Sequence, residues 1–176
     1  MMLLPRESIL VCVAFAWGAG AEVLETNDDG FVSAHEVAIE APPSRVFDAL
    51  VDEIDRWWDP AHSYSGDAAN FSLDEVCGLC EGVDADSGLV RHMRVDAWRP
   101  GKSLVLAGGL GPLQRLAVAG SMSFDLEATA TGTRVTYRYT VNGRNVGAWA
   151  EPVDRVQLGQ LLRLKRYVET GSAVAE

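Results

Sequence analysis

The sequence predicts an α+β domain in which one long C-terminal helix lies across a mostly antiparallel sheet. Three observations support this fold class: an opening segment of alternating residues followed at once by an amphipathic helix, a run of short alternating segments separated by turn residues, and a long apolar-faced helix at the end. A helix laid across such a sheet encloses a pocket. The order of elements therefore indicates a container for a hydrophobic ligand.

Composition limits the possible partners. The 176 residues suit one domain with a full core, and 48% are apolar against 23% charged, as in globular proteins. The net charge of -10 disfavours nucleic acid and anionic lipid headgroups, which are held mainly by Lys and Arg. No apolar run reaches the roughly 18 residues that a transmembrane helix needs, so we expect no stable membrane span.

Residues 1–21 are typical of a secretory signal peptide. A short, weakly basic start at 1–6 precedes an apolar stretch at 9–17, and Ala19-Gly20-Ala21 fits a cleavage site. We therefore expect an exported protein, periplasmic or secreted, whose mature chain of residues 22–176 begins at Glu22. Two alternatives remain: an N-terminal helix that is retained, which Glu7 in the n-region favours, and a lipid-bearing Cys12, which Val11 before it disfavours.

The first strand and helix are predicted by their periodicity. Residues 31–40 alternate, which indicates a half-buried strand. Its two faces carry Phe31, Ser33, His35, Val37 and Ile39 on one side and Val32, Ala34, Glu36, Ala38 and Glu40 on the other. Pro42 and Pro43 end the strand and open a helix, in which apolar residues recur at helical spacing up to Ile54. The adjacent Trp57 and Trp58 follow.

Short strands are expected in the middle of the chain and a clear hairpin after them. The candidates are residues 71–76, 78–83, 89–98 and 103–107, separated by segments rich in turn residues. The hairpin turns at residues 131–133 and has one apolar face. That face carries Met122, Phe124 and Leu126 on the first strand and Val135, Tyr137, Tyr139 and Val141 on the second.

The final helix is predicted from near Pro152 to near Glu169. Its apolar face is wider than a surface helix needs, so it should pack against something broad. The residues of that face are Val153, Val156, Leu158, Leu161, Leu162, Leu164 and Val168.

The succession of these motifs resembles the SRPBCC superfamily of START-like domains, which includes polyketide cyclase/dehydrase-like and lipid-transfer proteins. The resemblance covers roughly residues 30–170. It rests first on HEVAIEAPP at 35–43, VFDAL at 46–50 and WWD at 57–59. Four later stretches are similar to those of exported bacterial members: RHM at 91–93, PGKSL at 100–104, GLGPLQ at 109–114 and GTRVT at 132–136. The resemblance implies a helix-grip fold: a curved seven-stranded antiparallel sheet wrapped around a long C-terminal helix, with two short helices after the first strand.

The resemblance also implies a cavity between sheet and helix for an apolar small molecule or lipid-like ligand. We expect the cavity to be lined by Trp57, Trp58, Met93, Phe124, Tyr137, Tyr139, Leu158 and Leu162. Adjacent tryptophans point in different directions, so one should anchor the core while the other covers the mouth. The two tyrosine hydroxyls need partners on a dry face and are the groups expected to orient a ligand. Two functions remain open: a non-catalytic carrier, and a cyclase- or hydrolase-like enzyme using the same cavity.

The sequence assigns no catalytic residue and no cofactor. His92 is the best acid/base candidate, but strand alternation places it on the more polar face of residues 89–98, which indicates an outward side chain. No nucleophile motif and no Gly-rich phosphate loop is present.

Two further patterns in the sequence have the residue types of metal or redox sites. Cys77 and Cys80 form a CxxC among predicted strands, which favours plain or disulfide-linked cysteines over a redox site. A zinc site would need help from His35, His62 or His92, which are scattered, so no metal is expected. The residues Glu25, Asn27, Asp29, Gly30 and Glu36 match a calcium loop only by chance, because a strand follows them instead of a helix.

Overall fold

The computed structural model describes residues 22–83 and 88–174. Within them the chain forms eight strands and three α-helices, in the α+β arrangement expected from the sequence. The elements are β1 (Glu22–Asn27), β2 (Gly30–Ile39), α1 (Pro43–Asp52), α2 (Ile54–Trp57), β3 (Phe71–Asp74), β4 (Gly78–Gly82), β5 (Leu89–Arg99), β6 (Ser103–Ala107), β7 (Ala119–Thr129), β8 (Gly132–Asn142) and α3 (Ala150–Thr170). The predicted signal peptide, residues 1–21, lies outside the described residues.

All eight strands belong to one antiparallel sheet. Its order is β1-β2-β8-β7-β6-β5-β4-β3, so the strand that precedes α1 pairs with the last strand of the chain. The helix-grip fold is confirmed, with two short helices after β2 and a long helix at the end. The sheet has one strand more than the seven expected, because β1 adds to the outer edge of β2.

The calcium-like pattern lies on the β1–β2 hairpin. Asn27 pairs with Gly30 across the turn, and the Asn27 side chain accepts a hydrogen bond from the Asp29 N–H at 2.9 Å. Strands flank the turn on both sides, whereas a calcium loop of this type lies between helices. The pattern is therefore a hairpin turn.

The predicted apolar faces of β2, β7 and β8 are confirmed. On β8 the side chains of Val135, Tyr137, Tyr139 and Val141 are all buried, and on β2 so are those of Phe31, Ser33, His35, Val37 and Ile39. In register, Phe124 of β7 lies opposite Tyr137. These inward residues form the floor on which the helices pack.

The last helix lies across this floor, but it is rotated relative to the sequence prediction. Its buried face carries Asp154, Gln157, Gln160, Leu161 and Leu164. Leu162 is 42% exposed and Leu158 is half-buried. The rotation follows from polar contacts: Asp154 reaches β2, and Gln160 accepts a hydrogen bond from the Asp59 N–H at 3.0 Å.

At the other edge of the sheet, β3 and β4 form a hairpin, and a disulfide links Cys77 in its turn to Cys80 of β4. Gly78 between them has φ of +83°, and a side chain there would collide with the Met93 carbonyl of β5. The register with β5 then shifts: Leu79 pairs with Met93, while Cys80 pairs with Arg91. His92 is thus an extra residue, a β-bulge.

Candidate ligand cavity

A cavity of about 300 Å³ lies beside the first half of α3. Three segments form most of its wall: residues between 58 and 64 after α2, the loop at 110–112 between β6 and β7, and residues 149–157 at the start of α3. His92 of β5 completes it. A volume of this size is at the lower end of sites for small molecules.

Most of the wall is apolar. Trp58 covers one side, and Trp149, Val153 and Val156 cover the side formed by α3. The indole N–H of Trp58 donates to the His62 carbonyl at 3.0 Å, so it is already used within the protein. Tyr64 on the same wall is 49% exposed, and the cavity borders solvent there.

Of the eight residues expected to line the cavity, Trp58 lies on this wall. Trp57 anchors the core instead, with its indole N–H donating to the Ala49 carbonyl at 2.7 Å. Trp57 and Phe124 border a second void of about 20 Å³, deeper under α3, which has room for about one water molecule. Phe124 is thus close to empty space that is too small for a ligand.

The remaining expected residues are not among those that line the cavity. Met93, Tyr137 and Tyr139 are fully buried in the core, and the rotation of α3 leaves Leu158 half-buried and Leu162 exposed. These five residues therefore do not line the cavity, and buried side chains fill the space over the centre of the sheet. The larger cavity lies between the first half of α3, the two connections at 58–64 and 110–112, and His92 of β5.

Tyr139 does not line the cavity, but it supports the loop at 108–112 that forms part of the wall. Its hydroxyl accepts a hydrogen bond from the Leu110 N–H and donates one to the Gly108 carbonyl, both at 3.0 Å. Burial raises the pKa of Tyr139 to about 12, although the Leu110 hydrogen bond works in the opposite direction. The hydroxyl therefore stays protonated and holds the 108–112 loop in place.

A second polar cluster lies under α3 and away from the cavity. The Ser33 hydroxyl donates to Asp154 at 2.6 Å, and Nε2 of His35 lies 3.0 Å from the same carboxylate oxygen. His35 stacks on Tyr137, whose hydroxyl has no hydrogen-bond partner among the described residues. Because a serine-histidine-carboxylate relay needs both ring nitrogens of the histidine, these contacts do not form one. The cluster fixes α3 to β2.

His92 on the cavity wall forms a buried pair with Glu81. Nε2 of His92 lies 2.9 Å from Oε2 of Glu81, and both side chains are buried. The Glu81 carboxylate also accepts the N–H groups of Tyr64 at 3.1 Å and Ser65 at 2.6 Å. The rings of Tyr64 and Phe71 stack on the imidazole.

The electrostatics of the pair favour an ionised Glu81 and a neutral His92. Burial works to raise the pKa of Glu81, but the hydrogen bonds from Ser65, Tyr64 and His92 bring this pKa below its ordinary value. Burial lowers the pKa of His92, against the opposing attraction of Glu81. The neutral imidazole then donates from Nε2 to the carboxylate.

The sequence matches the family described as polyketide cyclase / dehydrase and lipid transport over residues 31–169. The chain belongs to this family. Membership confirms the resemblance to the SRPBCC superfamily, and the family binds hydrophobic ligands. No curated protein matches the sequence significantly.

Solved structures agree with the family on the fold. The Aha1 dimer from Colwellia psychrerythraea is 21% identical, with a TM-score of 0.59 over 80% of this chain and 97% of that one. EF2215 from Enterococcus faecalis, a conserved protein of unknown function, is 17% identical, with a TM-score of 0.58 over 85% and 77%. DynU16, from the dynemicin biosynthetic locus, is 22% identical with a TM-score of 0.59, over 84% of this chain and 49% of its own. Identities this low show a shared fold.

Within this family fold, the Glu81–His92 pair is the feature that the sequence prediction missed. Alternation placed His92 outward, but the bulge turns both His92 and Met93 inward, and His92 is 4% exposed. The one local signal was the CxxC before Glu81, whose Gly78 has no room for a side chain against the Met93 carbonyl of β5.

Among the described residues, no three His, Cys, Asp or Glu side chains are grouped closely enough to hold a metal ion. Among residues 22–83 and 88–174, no helix is both long enough and apolar enough to cross a membrane.

Proposed function

We propose that this protein is a binding or carrier domain that holds a hydrophobic small molecule or lipid-like ligand in the cavity beside α3. The observation that carries the proposal is the cavity of about 300 Å³ walled by Trp58, Trp149, Val153 and Val156. Apolar walls with a few polar groups are the usual composition of small-molecule sites. The family supports the same ligand class.

The test is binding of the apolar fluorophore N-phenylnaphthylamine to wild type and to two helix variants. Val156→Phe places a larger side chain in the cavity and should abolish the fluorescence increase while the domain stays folded. Leu162→Phe makes a similar change on the exposed face of α3 and should bind like wild type. Equal binding by both variants, or none by wild type, would contradict the proposal. If the wild type binds the probe, native mass spectrometry of protein from its own host would identify the ligand that it retains.

Export of this carrier is part of the proposal. It is supported by the signal-like sequence of residues 1–21 and by the disulfide between Cys77 and Cys80, since disulfides persist in oxidising compartments. N-terminal sequencing of protein recovered from the envelope or medium should show Glu22 as its first residue. Exported protein that retains Met1, or protein found with the cytoplasmic fraction, would show that this part is wrong.

A second candidate is a cyclase- or hydrolase-like enzyme that acts on such a ligand in the same cavity. The Glu81–His92 pair favours it, because a carboxylate that orients an imidazole is a common acid/base arrangement. Ser63 does not add a free nucleophile: its hydroxyl donates to the Pro60 carbonyl and accepts the Gly66 N–H. Conversion of a bound ligand by wild type, with loss of turnover in His92→Phe, would establish the enzyme over the carrier.

A further inference from the structure

One polar side chain on the cavity wall has no partner within the protein. Gln157 of α3 is 4% exposed and lines the cavity, yet its amide makes no hydrogen bond among the described residues. Neither its oxygen nor its nitrogen is among the fully enclosed atoms that lack a partner, which include the Gln160 nitrogen, so both atoms of the Gln157 amide remain accessible. A buried polar group without a partner costs free energy, and a native protein that retains one usually has a functional reason.

The geometry of α3 directs this amide towards the cavity. Gln157 lies one turn after Val153 and directly after Val156, and all three line the cavity. Helical side chains lean towards the N-terminus of their helix, so the Gln157 side chain extends towards the turn of Val153. Gln157 also borders the small void of about 20 Å³, but that void lies towards the next turn, which carries Gln160 and Leu161. The amide therefore faces the larger space.

The other buried residues of the wall offer a ligand no polar atom. Of the described residues that line the cavity, three are buried: Trp58, His92 and Gln157. The indole N–H of Trp58 donates to the His62 carbonyl. Nε2 of His92 lies against Glu81, and its Nδ1 is fully enclosed. Gln157 is thus the buried wall residue that can hydrogen-bond to a ligand.

The charges around the cavity favour a neutral ligand. Among the described residues, no Lys, Arg, Asp or Glu side chain lines it. Burial lowers the pKa of His92, so this ring is uncharged at neutral pH. The net charge of -10 also disfavours anions. An ionised group on the ligand would lose its water in this cavity without gaining a counter-charge.

We propose that Gln157 binds the carboxamide or lactam group of a neutral, otherwise apolar ligand. An amide side chain presents a donor and an acceptor side by side, and a primary amide or lactam presents the complementary pair. The Gln157 nitrogen then donates to the ligand carbonyl, and the Gln157 oxygen accepts the ligand N–H. Both free atoms are satisfied at once, whichever way the amide is turned. The inference rests on the proposed carrier function, and it names the ligand class of that site.

The test compares two probes of similar shape: 2-naphthamide, which can donate and accept, and 2-acetonaphthone, which can only accept. Wild type at neutral pH should bind 2-naphthamide about three- to tenfold more tightly, as expected for one additional net hydrogen bond. Gln157→Leu should still fold, because it removes a polar group that has no partner, and it should bind 2-acetonaphthone at least as tightly as 2-naphthamide. Leu162→Phe, on the exposed face of α3, should keep the wild-type preference.

A measurement on wild type alone covers the case in which Gln157→Leu does not fold. The NMR signal of the Gln157 side-chain carbonyl carbon should shift further with 2-naphthamide than with 2-acetonaphthone, because only the amide probe can donate to that oxygen. Equal shifts, equal affinities of wild type for the two probes, or a preference that survives in Gln157→Leu would overturn the inference and leave the carrier function standing. If wild type binds neither probe nor N-phenylnaphthylamine, the carrier function is overturned, and the inference with it.

Discussion

Tyr137 and Tyr139 lie two residues apart on the same buried face of β8, yet only the Tyr139 hydroxyl has hydrogen-bond partners among the described residues. This difference gives a matched pair of variants. Tyr139→Phe strands the Leu110 N–H and the Gly108 carbonyl, and should cost about 1–3 kcal/mol of unfolding free energy. The same variant should bind N-phenylnaphthylamine more weakly, because the 108–112 loop forms part of the cavity wall.

Tyr137→Phe is the control for this variant. It removes a buried hydroxyl without a partner, so the unfolding free energy should stay within about 0.5 kcal/mol of wild type or rise. Urea denaturation of the three proteins measures both values. A larger loss for Tyr137→Phe than for Tyr139→Phe would show that the hydrogen bonds to the loop are not the stabilising ones.

Stability should fall on acidification in two steps. The pKa of His92 and the pKa of Glu81 are both lowered in the folded state, so the unfolded chain binds more protons and stability rises with pH. The contribution of His92 is complete above about pH 6.5 and that of Glu81 above about pH 4.3. Each is lost as the pH falls through the folded-state pKa.

Thermal unfolding of wild type and His92→Phe across this pH range checks the first step. The melting temperature of the variant should depend less on pH just below 6.5 than that of wild type. Parallel curves for the two proteins would show that folding does not lower the pKa of His92.

The polar anchor of α3 should contribute more to stability than its outer leucines. Asp154→Ala leaves the Ser33 hydroxyl and the His35 ring buried without their partner, which should cost about 3 kcal/mol. Leu162→Ala removes a side chain that is 42% exposed and should cost less than about 1 kcal/mol. Chemical denaturation of both variants gives the comparison. A larger loss of stability for Leu162→Ala than for Asp154→Ala would instead support the apolar face predicted from the sequence.

Loss of the disulfide should matter little for folding. The bridge between Cys77 and Cys80 closes a very short loop, so the chain-entropy model limits its contribution to about 2 kcal/mol. The double variant Cys77→Ser/Cys80→Ser should unfold at a slightly lower urea concentration than wild type. A loss of several kcal/mol would mean that the bridge also determines how β4 lies against β5.

The sheet could be predicted from local sequence because its strands bury one face and expose the other. On β8, Tyr137 and Arg138 sit on opposite faces, as simple alternation requires. The added strand β1 could not be found this way, because its side chains from residue 24 onward are exposed and show no alternation. Its pairing depends on the backbone of β2.

The site was harder to predict because it depends on contacts between distant segments. His92 points inward owing to one extra residue in β5, and strand periodicity assumes that no residue is extra. The rotation of α3 depends on Asp154 and Gln160, whose partners are Ser33, His35 and Asp59. When a helix has more apolar residues than it can bury, polar contacts from other segments decide which of its faces is buried.

The walls of the cavity come mostly from connections and from one helix, while the floor of the sheet beside it is solid. Stability and ligand choice are therefore encoded in largely separate residues. Replacing the segments at 58–64 and 110–112 would change the shape of the binding site without removing a core side chain other than Trp58. Related chains could diverge in what they bind through these two segments alone. The same exchange offers a practical route to redesigning this protein as a receptor for a chosen small molecule.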